Sequence, residues 1–439
     1  MSAGTEGIGM RLHPKILLPV ILVAALAARI AFCVAVVGFH SVGWGDEPDY
    51  HRHAADLAAG RGFISPEGEP TAARPPLYPV VLSAVYRVTG PSHAAGRVLQ
   101  ILLGAGIVLL VYIVAARLFS PTAGVVAAAL TAVNPSLIYL SALIMTENLA
   151  IVLLLLMLIL LAKEAVSERL APGRLALGGL LGGASCLTRP DSAPFVLLIP
   201  FVVLAFGRAT VRRRLAGAAI FLAVAVAAIL PWAARNRAVL GEWVAFSTHG
   251  GITFYESNNM RIVEEPAFRG SVVLPRTAVP RWDELAPLGE LELDRKAWEM
   301  GREFAREHPD HMLRLMGWKF QRFWRLRSGL RVKDTDGAIS VDGSRPLGEM
   351  LLGADVGWLY SLVAMPLFLL GMAVTARKWR TLALLYAVVA SNTLVALAFH
   401  GSLRARSPVE PVIAVFAGAT MAALLCRTRL QPGGAALAG

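Results

Sequence analysis

The chain has 439 residues, 56% of them hydrophobic and only 16% charged, with a formal net charge of +12. A water-soluble chain carries about a quarter charged residues, so this composition, with a mean hydropathy of +0.59, excludes an ordinary soluble globular protein. Cys33, Cys186 and Cys426 all fall in or beside apolar runs, which excludes a disulfide framework and a zinc pattern.

Apolar runs of about twenty residues, the length that crosses a bilayer as a helix, recur from end to end. The first covers 16–39 behind the basic pair Arg11 and Lys15, and is too long for a signal-peptide core. It reads as an uncleaved span. A loop over 38–94 follows, with signals for two short interfacial helices. Asp46 or Pro48 starts one, ended by Gly60 and Gly62; Pro76 starts another, stopped by Gly90 and Pro91. Further runs lie at 95–116, 121–141, 148–162, 175–207, 215–233, 354–375, 381–399 and 409–426.

The run 175–207 sets the parity. As one helix, its roughly 33 residues would be about 50 Å long, against a hydrocarbon core of about 30 Å. Its middle also holds Thr188, Arg189, Pro190 and Asp191, which lipid does not tolerate. Split into two arms, it sends every short basic loop to one side: Arg117, Lys163 to Arg174, Arg208 to Arg214, Arg377 to Arg380, and Arg427 with Arg429. That is the positive-inside pattern. The expected fold is an all-α polytopic membrane protein with about ten transmembrane helices, interfacial helices in the first outer loop, and a mostly helical outer-face subdomain. The expected units are 1–235, a transmembrane module with its first loop; 236–352, the outer subdomain, with a helix signal from Glu290 to Arg327; 353–430, the last helices; and 431–439, a disordered tail. Both termini are expected in the cytoplasm. The positive charge is then topological, and nucleic acid is not an expected partner.

On the outer side stand residues able to do chemistry. Asp46 and Glu47 follow the first span, with Asp49 and Tyr50 behind them. Acids there stabilise a helix start, or serve as a general base toward a hydroxyl or amine. Glu147, in Thr146-Glu147-Asn148, caps a span or pairs with a cation. Arg74 before two prolines, Arg189, Arg235, Arg237, Arg404 and Arg406 offer planar donor forks that suit lipid headgroups or a bound phosphate. As a set facing these acids, they point to an anionic, lipid-linked substrate. Asp46, Glu47 and Glu147 also form a conceivable oxygen-ligand set for a divalent cation.

The motifs resemble, in order, those of the GT-C superfamily of membrane glycosyltransferases, in particular bacterial family 39, similar to protein O-mannosyltransferases and lipid A aminoarabinose transferases. They are Trp44-Gly-Asp46-Glu47-Pro-Asp-Tyr50, Arg74-Pro-Pro-Leu-Tyr78-Pro, Thr146-Glu147-Asn148, Leu187-Thr-Arg189-Pro, Pro231-Trp-Ala-Ala-Arg235-Asn236, Thr248-His-Gly250-Gly251 with Asn258-Asn259, and Arg404-Ala-Arg406-Ser-Pro-Val-Glu410-Pro. The resemblance implies a polyprenyl-phosphate sugar as donor, a glycan, lipid or protein acceptor, inversion at the anomeric carbon, and a site on the periplasmic or extracellular face of a bacterial inner membrane. It implies Asp46 as general base, Glu47 in support, and Arg74, Arg404 and Arg406 on the donor phosphate. Tyr50, Tyr78, Glu147, Arg189, Arg235 and Asn258 are further site candidates. It demands no metal or other cofactor. Ala405 stands where the family pattern has an aromatic, so a stacking contact there is lost. The competing classes are a lipid-carrier flippase or transporter, and a polysaccharide polymerase or ligase.

Overall fold

The computed structural model describes residues 14–43, 45–326 and 354–426. The expected tail 431–439, Arg11, Arg427, Arg429 and all of 327–353, Arg327 included, lie outside them. Helices, in chain order, are α1 (Pro14–Phe32), α2 (Glu47–Ala58), α3 (Leu77–Thr89), α4 (His93–Leu118), α5 (Pro121–Ala132), α6 (Pro135–Leu140), α7 (Glu147–Leu161), α8 (Pro172–Thr188), α9 (Ala193–Phe206), α10 (Val211–Leu240), α11 (Gly250–Ser257), α12 (Met260–Glu264), α13 (Trp282–Leu285), α14 (Glu290–Glu307), α15 (Pro309–Trp324), α16 (Ala354–Thr375), α17 (Ala383–Ala398), α18 (Leu403–Arg406) and α19 (Glu410–Cys426). The protein is an all-α polytopic membrane protein. Among the described residues, five helical stretches are long and apolar enough to cross a membrane: 14–37, 93–118, 147–166, 211–240 and 357–378. Shorter apolar helices stand between and after them.

The long apolar run breaks where its polar residues fall. α8 ends at Thr188, a short 3-10 turn covers Pro190–Ser192, and α9 begins at Ala193. Arg189 is extended there, as a residue before proline prefers. α8 then packs on α10 through small residues: a Cβ at Gly179 or Gly183 would press into the carbonyls of Phe221 or Ala225. Such close backbone approach is how helices associate where lipid is as apolar as the side chains.

The run 121–141, read as one span, is two helices. Pro135 has no N–H to continue α5, and the Asn134 side chain caps α6 by accepting from Leu137 N at 3.1 Å. The interruption exposes carbonyls. Arg29 of α1, fully buried, donates to Ala132 O at 3.4 Å and to Ser141 Oγ at 3.2 Å, covering part of that gap.

The two helices expected in the first loop form, as α2 and α3. α2 is closed by Gly60, whose φ of 76° only glycine adopts freely. Beyond α10, the segment from Gly241 to Leu326 builds its own apolar core around Ile252, Tyr255, Ile262, Met300 and Leu315. The helix signal from Glu290 is also divided, at His308-Pro309, into α14 and α15. This segment sits on the first loop: Thr248 N donates to Ala72 O at 3.0 Å, and Glu290 accepts from Ala72 N at 2.9 Å.

Candidate active site

The polar residues collect at one end of the bundle, because each sits where a helix stops or starts. Asp46 is the N-cap of α2, yet its side chain makes no capping bond. The carboxylate instead lies between two arginines. Its Oδ1 is 2.8 Å from Arg74 Nη2 and its Oδ2 accepts from Arg404 Nη1 at 2.8 Å. Arg74 leaves the loop before α3 and also donates to Asp49 at 2.8 Å. Arg404, on α18, reaches past Asp46 to Glu147 at the start of α7. Glu147 accepts in turn from Arg189 at 2.6 Å, and Arg189 pairs with Asp191 at 2.6 Å.

The result is a ladder of alternating sign: Asp49, Arg74, Asp46, Arg404, Glu147, Arg189, Asp191. Residues far apart in the chain converge on it, and it holds four carboxylates against three guanidiniums. It is graded in depth. The Glu147 side chain is inaccessible, whereas those of Asp46 and Arg404 are 26% and 39% exposed. Burial pushes the Asp46 carboxyl up, but Arg404 and Arg74 outweigh it and hold the group far below the usual carboxylate range. Burial works against the Arg404 charge, and Glu147 with Asp46 restores it, so its guanidinium stays protonated.

Other residues singled out in the sequence lie outside this ladder. Glu47 turns inward and, fully buried, meets the equally buried Arg97 of α4 at 2.7 Å. Burial raises its carboxyl and Arg97 opposes that rise. Arg406 points away from Arg404: it donates to Glu410 at 2.8 Å and to the Phe323 and Arg325 carbonyls at the end of α15. Arg235 bonds the carbonyls of Thr71 and Phe63, each at 2.7 Å, and so ties α10 to the first loop. Asn258 accepts from the buried Lys319 at 2.6 Å. Tyr50 lies beside the ladder, with the Arg74 guanidinium 5.7 Å from its ring centre and Tyr78 edge-on at 5.5 Å. The Tyr78 hydroxyl accepts from Gln100 at 2.6 Å. Asp46, Glu47 and Glu147 therefore do not converge as one oxygen cluster; each meets an arginine, and Glu47 meets a different one.

Sequence reasoning passed over Arg97, whose signal is an arginine near the start of an apolar helix. It named Asp49 and Asp191 only as neighbours. Each lies close in sequence to a ladder residue, which is the signal that could have drawn them in.

Residues 73–232 match a family model described as dolichyl-phosphate-mannose-protein mannosyltransferase. The matched stretch contains Arg74, Glu147 and Arg189, and neither Asp46 nor Arg404. No curated protein matches the chain. Among solved structures, the archaeal oligosaccharyltransferase AglB from Archaeoglobus fulgidus, in complex with an inhibitory peptide and a dolichol-phosphate, aligns with a TM-score of 0.51 at 16% identity. The alignment covers 92% of this chain and 50% of that one, so this chain spans about half the length of AglB. ArnT from Cupriavidus metallidurans, bound to undecaprenyl phosphate, aligns at 13% identity with a TM-score of 0.42, covering 94% of this chain and 76% of ArnT. The family match and the AglB-like fold bear out the resemblance to GT-C membrane glycosyltransferases that the motifs carry.

Proposed function

We propose that this GT-C-like chain transfers a sugar from a polyprenyl-phosphate carrier to an acceptor hydroxyl or amine on the periplasmic or extracellular face of a bacterial inner membrane. The observation that carries the reading is the Asp46 carboxylate held between Arg74 and Arg404 at 2.8 Å each, partly open to solvent at the helix ends. A transporter would favour polar groups at the middle of broken spans, and here they cap the ends.

In this reading the donor phosphate takes Arg74 and Arg404 as its partners. Guanidiniums suit it because charge builds on that phosphate as the glycosidic bond breaks. A carboxylate held so acidic by two arginines is a poor base. Once the phosphate draws them away, the Asp46 pKa rises toward its ordinary value. The acceptor oxygen or nitrogen then attacks the anomeric carbon opposite the phosphate, its proton passes to Asp46, and the carrier leaves as polyprenyl monophosphate with the bonding electron pair. Attack from that side inverts the carbon. The charge is neutralised by arginine, so the step calls for no metal. Arg189 and Glu147 hold Arg404 from beneath.

The purified protein, given a panel of undecaprenyl-phosphate sugars with glycan, lipid and peptide acceptors, is expected to release free undecaprenyl phosphate. Absence of release across the panel would sink the transferase reading.

Orientation is checked separately. Arg235, near the end of α10, touches the first loop, whereas Arg213 stands at the helix's other end. In a cysteine-free background, Glu67→Cys is expected to react with an impermeant maleimide in spheroplasts, and Arg213→Cys only after permeabilisation. Equal labelling of both without permeabilisation would overturn the parity.

A further inference from the structure

One residue beside the ladder comes from the segment beyond α10 and has no role so far. Thr248 is fixed two residues from Arg74, through its backbone bond to Ala72 and through Glu290, which accepts from Thr248 Oγ1 at 2.6 Å. The next residue, His249, is thereby set within electrostatic reach of both Arg74 and Asp46. Its position is constrained from behind. A Cβ at Gly251 would overlap the Asp294 carbonyl of α14, and Gly251 N donates to Asp294 Oδ1 at 2.6 Å, so the start of α11 is pressed onto α14.

The imidazole is also oriented chemically. Arg276 Nη2 lies 3.0 Å from His249 Nε2 and, being a guanidinium, can only donate; the histidine nitrogen therefore accepts. Arg276 is anchored from the other side by Glu256 at 2.9 Å. Burial, then Arg74 and Arg276, push the ring's pKa down to about 3, so it stays neutral at physiological pH with its proton on Nδ1. A neutral N–H donor brings no charge to a phosphate that already has two arginines, and it suits a sugar hydroxyl.

We propose that His249, held by Arg276, is a sugar-recognition residue that donates a hydrogen bond to a hydroxyl of the carrier-linked sugar beside Asp46. The inference rests on the transferase reading and deepens it: the arginines bind what every polyprenyl-phosphate donor shares, and His249 reads the part that differs. A site built to pair a hydroxyl rejects a ligand that lacks it, because its own donor is then left unpaired.

The test compares two ligands on one protein. Binding of bare undecaprenyl phosphate and of the tightest member of the undecaprenyl-phosphate sugar panel is measured for wild type, His249→Ala, His249→Gln and Arg74→Ala. Wild type is expected to prefer the glycosylated carrier. His249→Ala should lose about tenfold of that preference, roughly what one neutral hydrogen bond supplies, while binding the bare carrier unchanged. His249→Gln, which keeps an N–H, should recover part of it, and Arg74→Ala should weaken both ligands together. If His249→Ala weakens both equally, or neither, sugar recognition is overturned and the donor-phosphate reading stands. If wild type binds neither carrier, the donor reading fails and takes this one with it.

Discussion

Replacing Asp46 with Asn is expected to slow transfer by about 10²- to 10⁴-fold, the range that a positioned general base supplies, without loss of donor binding. The ladder explains why binding survives. Arg74 still has Asp49 and Arg404 still has Glu147, so neither guanidinium is stranded. One competing negative charge is gone, which favours phosphate binding if it changes it at all. The measurement is single-turnover release of undecaprenyl phosphate alongside donor affinity. Turnover near wild type would remove Asp46 from the chemistry and leave it as a spacer between arginines.

The neighbouring acid should behave in the opposite way. Glu47→Ala is expected to cost about 3–5 kcal/mol of stability, because it leaves the Arg97 charge buried and unpaired. The pair is fully inaccessible, with Arg97 also bonded to the Phe39 carbonyl and Ser41, so water cannot take the place of the carboxylate. Thermal unfolding in detergent should show a large loss for Glu47→Ala and for Arg97→Ala singly. The double replacement Glu47→Leu with Arg97→Met should recover much of it, since no charge is then stranded. Glu47 would belong to the chemistry instead if its removal abolished transfer while the melting point held.

These two acids show where sequence reading ran out. The break at Thr188 to Asp191 was legible because helix length and polar content conflict with a single span. Once that parity was fixed, the helix ends bearing Asp46, Arg74, Glu147, Arg189 and Arg404 fell on one side. Facing was harder. Adjacent residues on a helix point about 100° apart, so Asp46 meets the arginines while Glu47 enters the core. The same rotation, taken twice across one helical turn, sends Arg404 and Arg406 to opposite sides, one to the ladder and the other to Glu410. The break at Asn134-Pro135 had its signal in plain sight, an asparagine before a proline, but a long apolar run overrode it. The docking of Thr248 on Ala72 is a backbone contact between distant loops, which no local pattern records.

The alternation of the ladder bears on how a spent carrier would depart. Each arginine sits between two carboxylates, so no guanidinium waits as a bare cation to trap whatever phosphate arrives. A lipid phosphate left behind after transfer competes with anions tethered a few ångströms away, and these return to the arginines without diffusing. On the transferase reading, the protein thus trades affinity for the product against speed of exchange. A site with three arginines and no acids would hold its donor more tightly and then stall on the phosphate it had made.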